Sequence, residues 1–168
     1  MIKLRPLAAD DVAVIQNWPP YPPEFEDLDY ALRSNGWLAE HRNKPDSRIY
    51  LAGQDGEKIA FTILSMTGAA EAEFRIALRA DKIGQGLGEI ISSMTLAKGF
   101  AEMQLACIHL VVRKNNPRAI RLYKRLGFTE RGECWMNVNG KPVNFLTMQI
   151  AINTWPSAVD AHVWIGKY

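Results

Sequence analysis

The sequence predicts a mixed α/β domain, and three observations carry that reading. Strand-like apolar runs at 48–52, 58–66, 74–78 and 107–112 are interleaved with helix-period stretches at 87–103 and 116–126. The order is strand, two helices, several strands, helix, strand, helix, hairpin, with no internal repeat and no linker long enough to divide the chain. Asn139-Gly140, set between two strand-like runs, is the strongest short hairpin signal present.

Each element has a local reason. Residues 2–5 read as a first strand, ended by Pro6. Asp10 or Asp11 can cap a helix carrying Val12, Ile15 and Trp18, which Pro19-Pro20 stops. The segment WPPYPP, from Trp18 to Pro23, is too proline-rich for a helix or a central strand. It reads either as a stiff surface connection or as a rigid wall beside a substrate cleft. Residues 24–38 resume a helical period, with Phe25, Leu28 and Leu32 on one face and Gly36 near the end. The strands at 48–52 and 58–66 are joined by a turn at Asp55-Gly56. Residues 116–126 form a short amphipathic helix stopped by Gly127, and Thr129–Val138 pairs with 143–150 across Asn139-Gly140. Residues 1–152 thus make one domain. The tail at 153–168 has two tryptophans and no period, and is expected to pack on the domain or on a neighbouring subunit.

Composition narrows the function classes. With 48% hydrophobic and 23% charged residues the 168-residue chain is ordinary for a globular domain, large enough for a hydrophobic core. A net charge of +2, with the basic residues at 113–125 reading as a solvated helix face, gives no nucleic-acid-binding signature. Cys107 and Cys134 have no metal-ligand spacing and sit in apolar runs, which reads as two buried thiols in a reducing compartment, with no metal. No apolar run approaches the roughly 20 residues needed to cross a bilayer, and the N-terminal MIKLRP lacks the apolar core of a signal peptide. A cytoplasmic protein is the expectation.

The informative stretch is IGQGLGE, Ile83 to Glu89, three alternate glycines ahead of a helix. A phosphate-binding P-loop needs Lys-Ser/Thr after the last glycine, where Glu89 and Ile90 stand. The dinucleotide fingerprint needs a third glycine at Glu89. What remains is strand, bare loop, helix. The first N–H groups of a helix lack internal partners and carry partial positive charge, and glycines let a diphosphate approach them. From this segment alone a glycine-rich turn without a ligand is equally open.

A second segment, NNPRAIRLYKRLGF from Asn115 to Phe128, decides between these. The pair resembles the GCN5-related N-acetyltransferase family. That family's cofactor loop reads Arg/Gln-x-x-Gly-x-Gly/Ala, and its later helix reads Asn-x-x-Ala-Ile-x-x-Tyr-x-x-x-Gly-Phe. Every named helix position is present, as Asn116, Ala119, Ile120, Tyr123, Gly127 and Phe128. The stretches AEFRIAL and NGKPVNFLTM are most similar to the spermidine and ribosomal-protein branches. The loop departs from the pattern at its opening position, which is Ile83. Backbone N–H groups can still serve there, so altered rather than abolished binding is implied. Glu89, in the first helical turn, is awkward beside a diphosphate unless it points outward.

The resemblance implies a mixed, mostly antiparallel sheet of six to seven strands with about four helices and splayed central strands. It implies acetyl-CoA as co-substrate, its diphosphate on Ile83, Gly84, Gln85, Gly86, Leu87, Gly88 and Glu89, and its pantetheine arm along the backbone of Ile76, Ala77 and Leu78. Asn116 and Ala119 border that arm. A primary amine attacks the thioester directly, with Tyr123 protonating the departing thiolate and Glu73 as the candidate base. For each there is a plainer alternative: Tyr123 packing between Ile120 and Leu126, Asn116 serving as a helix cap, and Glu73 solvated on the wet strand face of Glu71 and Arg75. His41 and His109 read as structural. Glu24, Glu26, Asp27 and Asp29 border the acceptor site in this family and suit a polyamine or a basic peptide terminus, or else form a solvated acidic face. An amino-sugar or aminoglycoside acceptor, and a non-catalytic acyl-CoA-binding module, are the competing functions. A homodimer or higher homo-oligomer is open.

Overall fold

The computed structural model describes residues 1–155; the expectation for the tail lies outside them beyond Trp155. Among the described residues seven strands form one sheet in the order β1-β2-β3-β4-β5-β7-β6. They are β1 (Ile2–Pro6), β2 (Ser47–Gln54), β3 (Glu57–Gly68), β4 (Glu71–Leu78), β5 (Cys107–Arg113), β6 (Thr129–Val138) and β7 (Lys141–Ala151). Four α-helices accompany them: α1 (Asp11–Gln16), α2 (Trp37–His41), α3 (Leu87–Glu102) and α4 (Pro117–Leu126). The mixed, mostly antiparallel sheet and the helix count match the expected class. The chain clusters into two compact units, Met1–Met66 with Phe74–Thr95, and Thr67–Glu73 with the described part of Leu96–Tyr168.

In the first unit, β2 and β3 turn on Asp55 and Gly56, with φ of 52° and 83°, the left-handed pair that a two-residue hairpin requires. One core cluster joins Val12, Ile15, Trp18, Tyr21, Leu32, Leu38, Leu51, Phe61, Ile63 and Ala77. A second joins Ala52, Ile59, Ala60, Leu87 and Ile91. Trp18 and Tyr21, at 5% and 9% exposure, anchor the proline-rich segment in the core, so it is more than a surface connection.

The expected single helix at 24–38 is instead a 3₁₀-helix, Pro23–Leu32, followed by a break and the short α2. Phe25, Leu28 and Ala31 recur every three residues, a spacing that fits a three-residue turn as well as an α-helix. Gly36 fixes the break: a Cβ there would sit 1.9 Å from the Tyr30 carbonyl oxygen. The helix α1 also ends sooner than expected, at Gln16, and its cap position Asp10 makes no side-chain cap bond. The neighbouring Asp11 is fully buried, accepting from Arg5 Nη1 (2.7 Å) and Nη2 (2.9 Å), from the Ala8 N–H (2.7 Å) and pairing with Lys58 Nζ at 2.8 Å. His41 is buried, with Nδ1 3.2 Å from Ser47 Oγ.

In the second unit, β6 and β7 turn on Asn139 (φ 52°) and Gly140 (φ 82°), as the Asn-Gly signal predicts. The parallel register of β4 with β5 sets Glu71, Ala72 and Glu73 against Cys107, Ile108 and His109. His109 Nε2 lies 2.8 Å from Thr67 Oγ1. The Trp155 ring packs on Phe100, with centroids 5.6 Å apart. Cys107 and Cys134 are free thiols, half-buried rather than buried; around Cys134 the strand β6 is exposed at most positions, Trp135 and Met136 included. Among the described residues no helix is long and apolar enough to cross a membrane.

Candidate active site

The glycine loop lies in the first unit. After β4 the chain makes a short 3₁₀ turn, Ala80–Lys82, and passes Ile83 to enter α3 through two left-handed glycines, Gly84 (φ 88°) and Gly86 (φ 77°). Side chains other than glycine are strained at such angles. A Cβ on Gly86 would meet nothing within 4 Å, so the bare backbone faces open space. Gly84, Gln85 and Gly86 are exposed, while Leu87 is buried and anchors the helix start. The loop is braced: Gln85 Nε2 donates to the Asp81 carbonyl at 2.8 Å, and Arg79 pairs with Asp81 (2.6 Å) and Glu57 (3.1 Å). Lys82 also pairs with Glu57, at 3.3 Å. The Arg79 guanidinium holds the Asp81 carboxyl below the usual carboxylate range.

Ile83 does not face the loop's open side. It is half-buried against the larger core cluster, and its N–H is directed to the Ala80 carbonyl at 3.4 Å. The grip expected of its backbone is therefore shared with a turn. Glu89 does not point outward: it is buried, 8% exposed, in the first turn of α3. A carboxylate there is favoured by the positive end of the helix dipole.

Along β4 the two faces separate cleanly. Ile76 and Leu78 pack toward Ile59, Ala60, Leu87 and Ile91, whereas Ala77 belongs to the other cluster. Arg75 shares the Ala77 face by strand alternation, and its guanidinium lies 5.3 Å from the centre of the Trp37 ring. The face expected to be wet is thus partly roofed at Arg75, because an aromatic ring covers a planar cation favourably. Glu73 is half-buried at the end of the β4–β5 register. The Leu78 carbonyl accepts a 2.6 Å hydrogen bond from the Tyr21 hydroxyl, a contact that nothing in the sequence pattern signalled.

The second unit supplies α4. Asn116 caps it, its Oδ1 accepting from the Ala119 N–H at 3.2 Å, and Pro117 occupies the first turn. Gly127 (φ 107°) ends it, where a Cβ would press on Ile150 Cδ1 at 3.1 Å. These two ends fix the rotation of the helix and therefore the placement of Tyr123. The Tyr123 ring is half-buried and meets Phe128 edge to face, 5.7 Å between centroids. Burial pushes its phenol up to about 12, so it stays protonated throughout the neutral range. The cap role of Asn116 is realised, and Tyr123 combines ring packing with a desolvated hydroxyl.

The acidic cluster divides. Glu24, Glu26 and Asp27 are exposed on the 3₁₀-helix. Asp29 is engaged, receiving Arg33 Nε and Nη2 at 2.7 Å each and the Tyr21 N–H at 3.1 Å.

The mixed seven-stranded sheet with its accompanying helices is the architecture of the acetyltransferase class. The chain belongs to the acetyltransferase (GNAT) family, whose model matches residues 13–128. It is 28% identical over 164 residues to the spermidine N(1)-acetyltransferase of Escherichia coli (strain K12), covering 89% of this chain and 85% of that protein. A 61-residue stretch is 34% identical to the spermidine N(1)-acetyltransferase of Vibrio cholerae serotype O1, covering 36% of this chain and 35% of that protein. The crystal structure of spermidine N-acetyltransferase from Vibrio cholerae in complex with CoA and spermine has the same fold, with a TM-score of 0.76 at 22% identity. That match covers 91% of this chain and 96% of the other.

Proposed function

We propose that this acetyltransferase transfers the acetyl group of acetyl-CoA to a primary amine of a polyamine, with both units acting as one domain over residues 1–152 in the cytoplasm. The observation that carries the cofactor half is the open cradle at Gly84 and Gly86, left-handed, exposed and leading into α3. A diphosphate fits it, because the N–H groups of the first turn have no partner within the helix and glycine leaves them uncovered. The backbone of Ile76–Leu78, on β4 just ahead of that loop, is the stretch we assign to the pantetheine arm. The co-substrate supplies an activated acyl thioester; the chain holds it, places the amine and moves two protons.

Glu73 takes the proton of the incoming ammonium, through water, so that the nitrogen lone pair is free to bond to the acyl carbon. The tetrahedral adduct collapses and the carbon–sulfur bond breaks. Tyr123 delivers its phenolic proton to the departing sulfur, and the second proton of the bonded nitrogen, passed through water, restores the phenol. This leaves a neutral amide, a free thiol and one proton on Glu73. Asn116 orients the start of α4 and borders the arm.

Gly86→Val is expected to weaken acetyl-CoA binding by about tenfold or more, some 1.4 kcal/mol. The matched control is Gly56→Val, also at positive φ (83°) with nothing within 4 Å of its Cβ. Both variants should melt earlier, but only Gly86→Val should lose most of the melting shift given by acetyl-CoA, since a ligand that binds the native state raises its stability. Equal shifts in the two variants would remove the loop from the site.

The acceptor reading rests on the exposed carboxylates Glu24, Glu26 and Asp27 and on the polyamine named in the relatives' activity. Glu24→Gln with Asp27→Asn is expected to raise KM for spermidine about fivefold, at up to about 1 kcal/mol per exposed pair. A monocationic amine should be little affected, and high salt should mimic the double variant, because exposed pairs are screened within about 8 Å at physiological ionic strength. An acetyl-CoA-consumption screen over polyamines, amino sugars and peptides tests the whole reading; a preference for amino sugars would replace the polyamine.

A further inference from the structure

Within the first unit a series of hydrogen bonds runs from the acidic 3₁₀-helix to the end of β4. Arg33, just past that helix, donates Nε and Nη2 to the two Asp29 oxygens at 2.7 Å each. Its Nη1 donates to the carbonyls of Gln16 (3.1 Å) and Trp18 (2.9 Å), fixing the chain as it enters the proline segment. Asp29 Oδ1 also accepts from the Tyr21 N–H at 3.1 Å. Tyr21 then donates its hydroxyl to the Leu78 carbonyl at 2.6 Å, across 57 positions of sequence.

The proline segment explains why these links converge on one residue. Pro19, Pro20, Pro22 and Pro23 have no N–H and a fixed φ. Between positions 19 and 23 Tyr21 is therefore the sole backbone donor, and its donor goes to Asp29. Its ring is 9% exposed within the cluster that includes Trp18, Leu32 and Ala77, so the hydroxyl has little freedom to turn elsewhere. Burial also pushes the phenol well above its usual range, keeping it a donor.

We propose that Tyr21 is a positioning residue, which with Asp29 and Arg33 holds the acidic 3₁₀-helix in fixed register with the end of β4. The inference rests on the acetyltransferase reading above. The register matters because the helix carries the exposed carboxylates Glu24, Glu26 and Asp27, while β4 carries the backbone assigned to the pantetheine arm. The relay sets the distance between the far charges of a polycation and the amine placed for reaction. A monocationic amine has no far charge and is indifferent to that distance. Asp29 accordingly belongs to the scaffold of the acceptor site rather than to its recognition surface.

Tyr21→Phe keeps the ring and removes the link. It is expected to raise KM for spermidine about fivefold, the scale of one hydrogen bond, while the KM for a monocationic amine holds. Any effect of the freed Leu78 carbonyl on acetyl-CoA should be the same with either amine. Asp29→Asn should give the same rise, and the double variant should add nothing further, because links in series fail together. A merely structural tyrosine would lower the melting point without separating the two amines. An equal change for both amines, additive effects of the two substitutions, or an unchanged spermidine KM would each overturn the proposal. If the wild-type protein acetylates no amine at all, the acetyltransferase reading fails by itself. The relay is then read by amide hydrogen exchange, where Tyr21 and the 3₁₀-helix should exchange faster in Tyr21→Phe; unchanged protection overturns it.

Discussion

Tyr123→Phe is expected to lower turnover by roughly 10²-fold or more, the scale of a general acid, with acetyl-CoA affinity little changed. The substitution keeps the ring that packs edge to face on Phe128 at 5.7 Å and removes the proton. With its phenol pushed up to about 12 by burial, Tyr123 holds that proton at neutral pH and parts with it only to a strong base. The sulfur takes the proton as its bond to the acyl carbon breaks, and the desolvation that raises the phenol raises the basicity of that sulfur as well. Turnover within a few-fold of wild type would mean that water or another group protonates the sulfur.

The same burial has a signature independent of catalysis. Folding favours the neutral phenol, so its contribution to stability is complete below its unfolded value of 10.0 and is lost as the pH rises through about 12. Wild type should therefore lose stability over that alkaline interval by a margin that Tyr123→Phe lacks, as measured by denaturant melts at stepped pH. Loss of activity without this difference would assign the kinetic effect to something other than the desolvated hydroxyl.

What the sequence disclosed follows the range of each interaction. The entry to α3 and both ends of α4 were legible because their physics is local: Gly84 and Gly86 adopt φ values that glycine favours, Asn116 bonds three residues on, and Gly127 ends its own helix. The hairpins at Asp55-Gly56 and Asn139-Gly140 are local in the same sense. The 3₁₀-helix was not separable from an α-helix, because apolar residues at spacings of three and four serve either. Its break is set by Gly36 nesting against the Tyr30 carbonyl. Arg75 alternated like a wet strand residue until Trp37 covered it. Glu89 looked out of place beside a diphosphate, and its burial depends on neighbours that no spacing specifies. Tyr21 was hidden most completely: its hydroxyl partner is 57 positions away, and a lone tyrosine between prolines has no periodicity to betray it.

Asp11→Asn is expected to cost about 3 kcal/mol of stability, at the lower end of the range for breaking a buried ion pair. The Asp11 side chain is 1% exposed and serves two cations and one backbone donor, joining β1 through Arg5, the turn through Ala8 and β3 through Lys58. Its partners soften the loss, since Arg5 is 48% and Lys58 30% exposed and both recover water when the carboxylate is gone. In a domain of this size the loss corresponds to a fall in melting temperature of about 6–12 °C. The pH dependence separates the charge from the packing. Arg5 above all, then Lys58 and the Ala8 N–H, hold the Asp11 carboxyl far below its ordinary value of 3.8. A carboxyl whose folded value is depressed contributes stability above its unfolded value, and that contribution drains away as the pH falls toward the folded one. The gap between wild type and Asp11→Asn should thus be full at neutral pH and begin to close below about pH 4. Denaturant melts at stepped pH measure it directly. A gap that stays constant into acid would show that the substitution acts by misfitting an amide into the buried site, and not by removing the charge that Arg5 and Lys58 share.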